Sequence, residues 1–275
     1  MDYNIQFIKG FIELAKKGYD NNWHERNGGN LSYRLDKEEI NEVKKYLNYN
    51  SEFKPIGTSV PKLADEYFLV TGSGKFFSNV PLNPEDSICI IEIDNIGENY
   101  RILWGLKGGG TPTSELPTHL MNHEVKKELT DNKHRVIYHC HPTNIIALTF
   151  ALPLDYKVFT RELWEMSTEC PVVFPNGIGI VEWMVPGGKD IAIATSKLMN
   201  RFDAVIWAHH GLLCSGENYD ITFGLAHTIE KSAEILVKVM SITDKKRQTI
   251  TPQNFRDLAV DFKVNLSEEF LYDKR

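Results

Sequence analysis

Ile5, Ile8, Ile12 and Ala15 recur at intervals of three and four residues, a period that predicts an amphipathic opening helix. A polar turn, NNWHERNGGN (21–30), ends it, and LSYRL (31–35) then alternates with the period of two that a strand requires. Residues 37–66 are charged, contain proline and hold no sustained period beyond a candidate helix at 37–47. They are expected to form an insertion, not a domain of their own. Apolar runs at YFLVT (67–71), SICIIEI (87–93), YRILW (100–104), RVIYHCH (135–141), PVVF (171–174), IGIVEW (178–183) and DAVIWAHH (203–210) predict strands. Helical periods occupy 114–129, 143–151, 189–200 and 219–241.

Strands outnumber helices, and several neighbouring strands are joined by connections too short for a crossover helix. The expected fold is therefore α/β, a three-layer sandwich with a central mixed, largely antiparallel sheet covered by helices. No internal repeat or low-complexity linker divides the chain, so residues 1–275 are expected to form one domain.

Composition narrows the function classes. The chain has 275 residues, 42% hydrophobic and 25% charged, ordinary values for a globular protein with a sizeable core. A formal charge of -6 argues against nucleic acid or an anionic membrane as partner, because phosphate polymers need a basic stripe. The N-terminal MDYNIQFIKGFIELAKKG lacks a basic segment followed by an uninterrupted apolar one, and no window resembles a membrane span. Cys89, Cys140, Cys170 and Cys214 are scattered without C-x-x-C spacing, which fits free thiols in a reducing cytoplasm.

The candidate chemistry centres on RVIYHCHPTN (135–144). Side chains at i and i+2 of a strand share a face, so His139 and His141 can converge on one ion while Cys140 faces away. Neutral imidazole suits zinc and comparable divalent ions, and a catalytic site usually takes three protein ligands. A second strand, DAVIWAHHG, also ends in histidine, and either His209 or His210 can supply the third nitrogen. Glu115, His119 and His123 recur every four residues along one helical face, but HLMNH lacks the glutamate of H-E-x-x-H, so the two histidines are read as polar or half-buried helix residues. In PTSELPTH, Thr113 or Ser114 reads as an N-cap, which places Glu115 at a helix start, either as a capping acid or as a base beside a metal.

Two loops have the make-up of a phosphate cradle. RNGGN (26–30) and TGSGKF (71–76) combine glycines, which let backbone approach an oxyanion, with Asn and Ser side chains. A P-loop is excluded, since that pattern needs Gly at 69 and Ser or Thr at 76, where the chain has Leu69 and Phe76. With PTSE as a third donor-rich segment, a small phosphorylated ligand is expected. Trp164 and Trp183 read as core or interface packing.

The segments ERNGGNLSYRL, VTGSGKFF, PTSELPTH, VIYHCHPTN, FTRELWEMSTEC and AHHGLLCSG together resemble, in that order, the class II aldolase and adducin family. The resemblance runs from about residue 3 to residue 241 and is weak in 37–66. It implies one zinc ion per subunit on His139, His141 and His210, which resolves the choice against His209, where the family pattern has an apolar residue. It implies phosphate binding at Asn27, Gly28, Gly29, Asn30, Ser73, Gly74, Thr113 and Ser114. It assigns catalytic proton handling to Glu115 at C3 and to Glu169, from a neighbouring subunit, at the aldehyde oxygen. The activity so implied is zinc-dependent retro-aldol cleavage of L-rhamnulose 1-phosphate to dihydroxyacetone phosphate and L-lactaldehyde. The implied setting is rhamnose catabolism in the cytoplasm, in a homotetramer with active sites near its interfaces. The alternatives are an epimerase, dehydratase or aldolase for another sugar phosphate, and a non-catalytic adducin-like scaffold.

Overall fold

The opening helix, α1 (Gln6–Asp20), buries Phe7, Ile8, Phe11, Leu14 and Ala15 along one stripe and leaves its lysines exposed, as the sequence period requires. In the computed structural model, which describes residues 1–273, it is followed by β1 (Asn30–Arg34), α2 (Lys37–Val43), β2 (Lys54–Pro55), β3 (Tyr67–Thr71), α3 (Pro84–Ser87), β4 (Ile88–Ile93) and β5 (Asn99–Gly105). Then come α4 (Leu116–Leu129), β6 (Val136–Cys140), α5 (Thr143–Ala151), α6 (Tyr156–Trp164), α7 (Cys170–Val173), β7 (Gly179–Val181) and α8 (Lys189–Met199). The hairpin β8 (Ala204–Trp207) and β9 (Gly211–Gly216) leads into α9 (Tyr219–Ile242) and α10 (Pro252–Phe262).

The strands form one sheet in the order β2-β5-β4-β3-β1-β6-β9-β8-β7, antiparallel at every pairing except β7 with β8. Helices cover both faces, so the fold is α/β with a mixed, largely antiparallel sheet. On one face α1, α5, α6 and α9 pack over Leu31, Tyr33, Leu69, Tyr138, Cys140, Ile206 and Leu212. On the other, α4 and α8 cover two separate apolar clusters, one around Phe68, Val70, Ile91 and Leu120, the other around Ile137, Val205, Trp207 and Leu213.

Between those two clusters runs β1. Its Leu31 and Tyr33 face the α1 side, and its Asn30, Ser32 and Arg34, alternating with them, face α4. All five residues are buried, so the polar face of this strand meets a helix and not water.

Three local readings differ from the structure. PVVF is a single helical turn in α7, where Pro171 sits in the first turn and lacks only an amide that has no helical acceptor there. GLLCSG is a further strand, β9, because the chain reverses at His209, whose φ of 59° makes a three-residue turn. The helices α6 and α10 were not expected; Asp155 caps the first, and Thr251 with Asn254 forms a capping box on the second. Within 37–66, β2 pairs with β5 at the sheet edge, and Val43, Ile56, Val60 and Leu63 are buried.

Because β6 and β8 run opposite to β1 and β9, the ends of β3, β6 and β8 and the beginnings of β1 and β9 meet at one edge of the sheet. Every loop singled out in the sequence, except the one carrying Glu169, opens at that edge.

Candidate active site

His139 is the last but one residue of β6, His141 follows just past the strand's end, and His210 comes from the β8–β9 turn. His139 Nε2 lies 3.2 Å from His141 Nε2 and 3.4 Å from His210 Nε2. Three ligand nitrogens, one per ring, all lie within 4.8 Å of one another. Tautomers follow from the outer nitrogens: His139 Nδ1 donates to the Leu212 carbonyl at 3.1 Å, and His141 Nδ1 donates to Glu25 Oε1 at 2.7 Å. The Nε2 lone pairs of both rings therefore point inward at each other, an arrangement that repels unless a cation sits between them. Tetrahedral ligands about 2.0–2.1 Å from a zinc-sized ion stand roughly 3.3–3.4 Å apart, so the two spacings from His139 fit a small divalent cation.

Burial keeps His139 and His210 neutral. His139 is held well below the ordinary histidine range, first by burial and then by His141 and His210, and His210 is lowered to about 4, chiefly by burial. Neutral imidazole is the ligating form. His209 is engaged elsewhere: its Nδ1 and its amide both contact Thr149 Oγ1 at 3.0 Å, and its ring stacks on Phe150 at 4.0 Å. The geometry thus brings His210 to the cluster and turns His209 away.

Glu115 stands at the boundary of α4, with its amide donating to Thr113 Oγ1 at 3.2 Å. Its carboxylate lies 3.9 Å from His139 Nε2 and accepts from Asn30 Nδ2 at 2.9 Å. With His139 neutral, that approach is not an ion pair. Burial outweighs the Asn30 hydrogen bond and lifts the group to about 7. A cation in the triad would pull it back down.

The glycine loop abuts the same cluster. A Cβ on Gly28 would come within 2.9 Å of the His141 ring, and one on Gly29 would collide with His24 and sit 2.7 Å from the His139 carbonyl oxygen. Gly29 also has φ of +75°, which favours glycine. Asn27 is exposed beside them, whereas the side chain of Asn30 is already committed to Glu115. The neighbouring loops run side by side: Ser73 N donates to Thr111 O at 2.8 Å and Thr113 N to Thr71 O at 2.9 Å, while Leu31 N donates to Thr71 Oγ1 at 3.1 Å. Ser73, Gly74 and Ser114 are exposed on them.

A cavity of about 480 Å³ next to the triad is lined by Asn22, Glu25, His141, Thr143, Ile146, His209 and His210. Glu169 is not part of this cluster; it is exposed at the start of α7, bonded to Ser167. Trp164 is buried against Phe255 and Phe270, and Trp183 is 62% exposed beyond β7.

Three supporting side chains escaped the sequence reading. Glu25 orients His141, and its signal was only that a carboxylate commonly backs a metal-binding histidine. His24 stacks on Phe77 at 3.6 Å, donates from Nδ1 to Gly28 O at 3.0 Å and accepts from Tyr138 Oη at 2.7 Å, holding the glycine loop. Ser32 joins His119 and His123, which are fully buried instead of half-exposed.

The chain is similar to known proteins along most of its length. The class II aldolase and adducin N-terminal domain family matches residues 9–237. A rhamnulose-1-phosphate aldolase of Mannheimia succiniciproducens is 49% identical over 261 residues, 95% of this chain and 96% of the relative. The protein of that name from Pectobacterium atrosepticum is 47% identical over 271 residues, 96% of each. Among solved structures, a sugar-phosphate aldolase from Thermotoga maritima superposes with a TM-score of 0.76 at 29% identity, covering 88% of this chain and 97% of the other.

Proposed function

The chain belongs to the class II aldolase and adducin family, and from that premise we propose that it cleaves L-rhamnulose 1-phosphate to dihydroxyacetone phosphate and L-lactaldehyde, with zinc on His139, His141 and His210. The observation that carries this reading is the convergence of three inward-facing imidazole nitrogens next to a buried carboxylate. A divalent cation held there supplies Lewis-acid stabilisation of the negative charge that develops beside the ketone.

The chain's own groups do the rest. Breaking the C3–C4 bond leaves its electron pair on C3 while the C4 hydroxyl gives up its proton and becomes the aldehyde. Glu115 delivers a proton to C3, and its burial to 7% exposure keeps water from competing. Glu169 of a neighbouring subunit takes the hydroxyl proton. Loop residues Asn27, Gly28, Gly29, Ser73, Gly74, Thr113 and Ser114, with the Asn30 backbone, bind the phosphate. The reading places the enzyme in the cytoplasm as a homotetramer; exposed Phe150, Trp183 and Val185 supply apolar surface for such contacts, and among the described residues no helix is long and apolar enough to cross a membrane.

A coupled assay for dihydroxyacetone phosphate tests the proposal. Cleavage of rhamnulose 1-phosphate should vanish on chelation and return with zinc, and Glu115→Gln should lose on the order of 10²–10⁴ in rate while retaining metal. Full activity in verified metal-free protein, or none on this substrate with metal bound, would discard it.

A further inference from the structure

The buried polar strip between the two apolar clusters under α4 has a direction. Asn30 Nδ2 donates to Glu115, so Asn30 Oδ1 is the end that faces His119 Nε2, which must carry the proton. His119 Nδ1 is then a lone pair and accepts from Ser32 Oγ at 2.6 Å. Ser32 Oγ in turn accepts from His123 Nε2 at 2.8 Å. That leaves His123 Nδ1 as an unprotonated acceptor, and it is the ring atom without a hydrogen-bond partner. The reverse order would put an N–H there, buried with nothing to bond, which is the costlier omission.

We propose that His119, backed by Ser32 and His123, is a positioning residue that fixes the Asn30 amide so that its N–H, and never its oxygen, meets Glu115. The inference rests on the proposed proton-handling role of Glu115. His119 and His123 come from successive turns of α4, Asn30 and Ser32 from alternate positions of β1, and each of the four is 5% exposed or less, so the string is walled off from solvent. Without the His119 proton the amide is free to flip, presenting an oxygen to the carboxylate. Glu115 then loses its aim at C3, while the triad and the phosphate loops keep theirs.

The test compares metal-loaded His119→Phe, His119→Gln, Ser32→Ala and Glu115→Gln for kcat and KM on rhamnulose 1-phosphate, solvent exchange at C3 of dihydroxyacetone phosphate, and metal content. His119→Phe should lower kcat and exchange together by about 10–100-fold, with KM and metal stoichiometry unchanged. His119→Gln, whose amide can still donate to Asn30, should recover most of the loss, and Ser32→Ala should fall between. Should His119→Phe fail to fold, Ser32→Ala decides, and wild-type kcat there overturns the proposal. So does wild-type kcat in His119→Phe beside an inactive Glu115→Gln, or a loss that tracks metal content and is not rescued by Gln. An active Glu115→Gln instead removes the reading of Glu115 and the relay with it.

Discussion

At the level of single residues, ligand geometry depends on what lies behind each imidazole. His210 comes from a turn that reverses on His209, and the two rings diverge: one joins the cluster, the other bonds Thr149 and stacks on Phe150. His210→Ala should therefore abolish stoichiometric metal, and His209→Ala should retain most of it; elemental analysis after dialysis reads both, and the opposite pattern would reassign the ligand. Glu25 is a subtler case, because its side chain is 69% exposed and its one bond to His141 fixes only a tautomer and a ring angle. Outer partners of this kind typically contribute 10–100-fold to metal affinity. Given the exposure, Glu25→Ala should weaken metal binding by roughly tenfold, measured by competition with a chelating dye.

Elements explain which parts of the site could be read from sequence. The H-x-H pair was legible because a strand's period of two fixes a shared face wherever the strand lies. The strip formed by Asn30, Ser32, His119 and His123 was not, because NLSYRL alternates identically whether its polar side meets water or a helix, and only the nine-strand order places β1 in the interior. PVVF misled for a related reason: its valines favour a strand, but the segment packs among α6, α9 and α10, and Pro171 starts a helical turn there. The turn before β1 was legible in composition and is more demanding in structure. Gly29→Ala would force a left-handed conformation on an L-residue and press a methyl on His24 and the His139 backbone. The expected cost is about 1–3 kcal/mol of stability, with a loss of metal affinity, read by thermal melts and metal titration; an unchanged melt would show that the loop can move away freely.

The molecule as a whole folds several uncharged histidines into its interior, and that sets its response to acid. Burial holds His24 and His119 at about 3 and His123 well below 6.5, whereas in the unfolded chain all three titrate near 6.5. From about pH 6.5 down to 3 the unfolded chain binds protons that the folded one refuses, so this stability is complete above the histidine range and is lost as pH falls. Three such groups give up to about 4 kcal/mol per pH unit in mid-window. Glu115, raised to about 7, and Glu230, also raised by burial, work in the opposite sense, since the folded chain then protonates first and gains relative stability on acidification. Each of those offsets at most about 1.4 kcal/mol per pH unit, so the histidines win. Urea unfolding of the metal-free protein at pH 7, 6 and 5 should show a steep decline, and His24→Gln, which cannot be protonated, should decline less steeply, by about 1 kcal/mol per pH unit on average, despite starting lower. Parallel slopes for the two proteins would mean that His24 takes up its proton as readily folded as unfolded, with Nδ1 still donating to Gly28 and Nε2 donating to Tyr138 Oη instead of accepting from it.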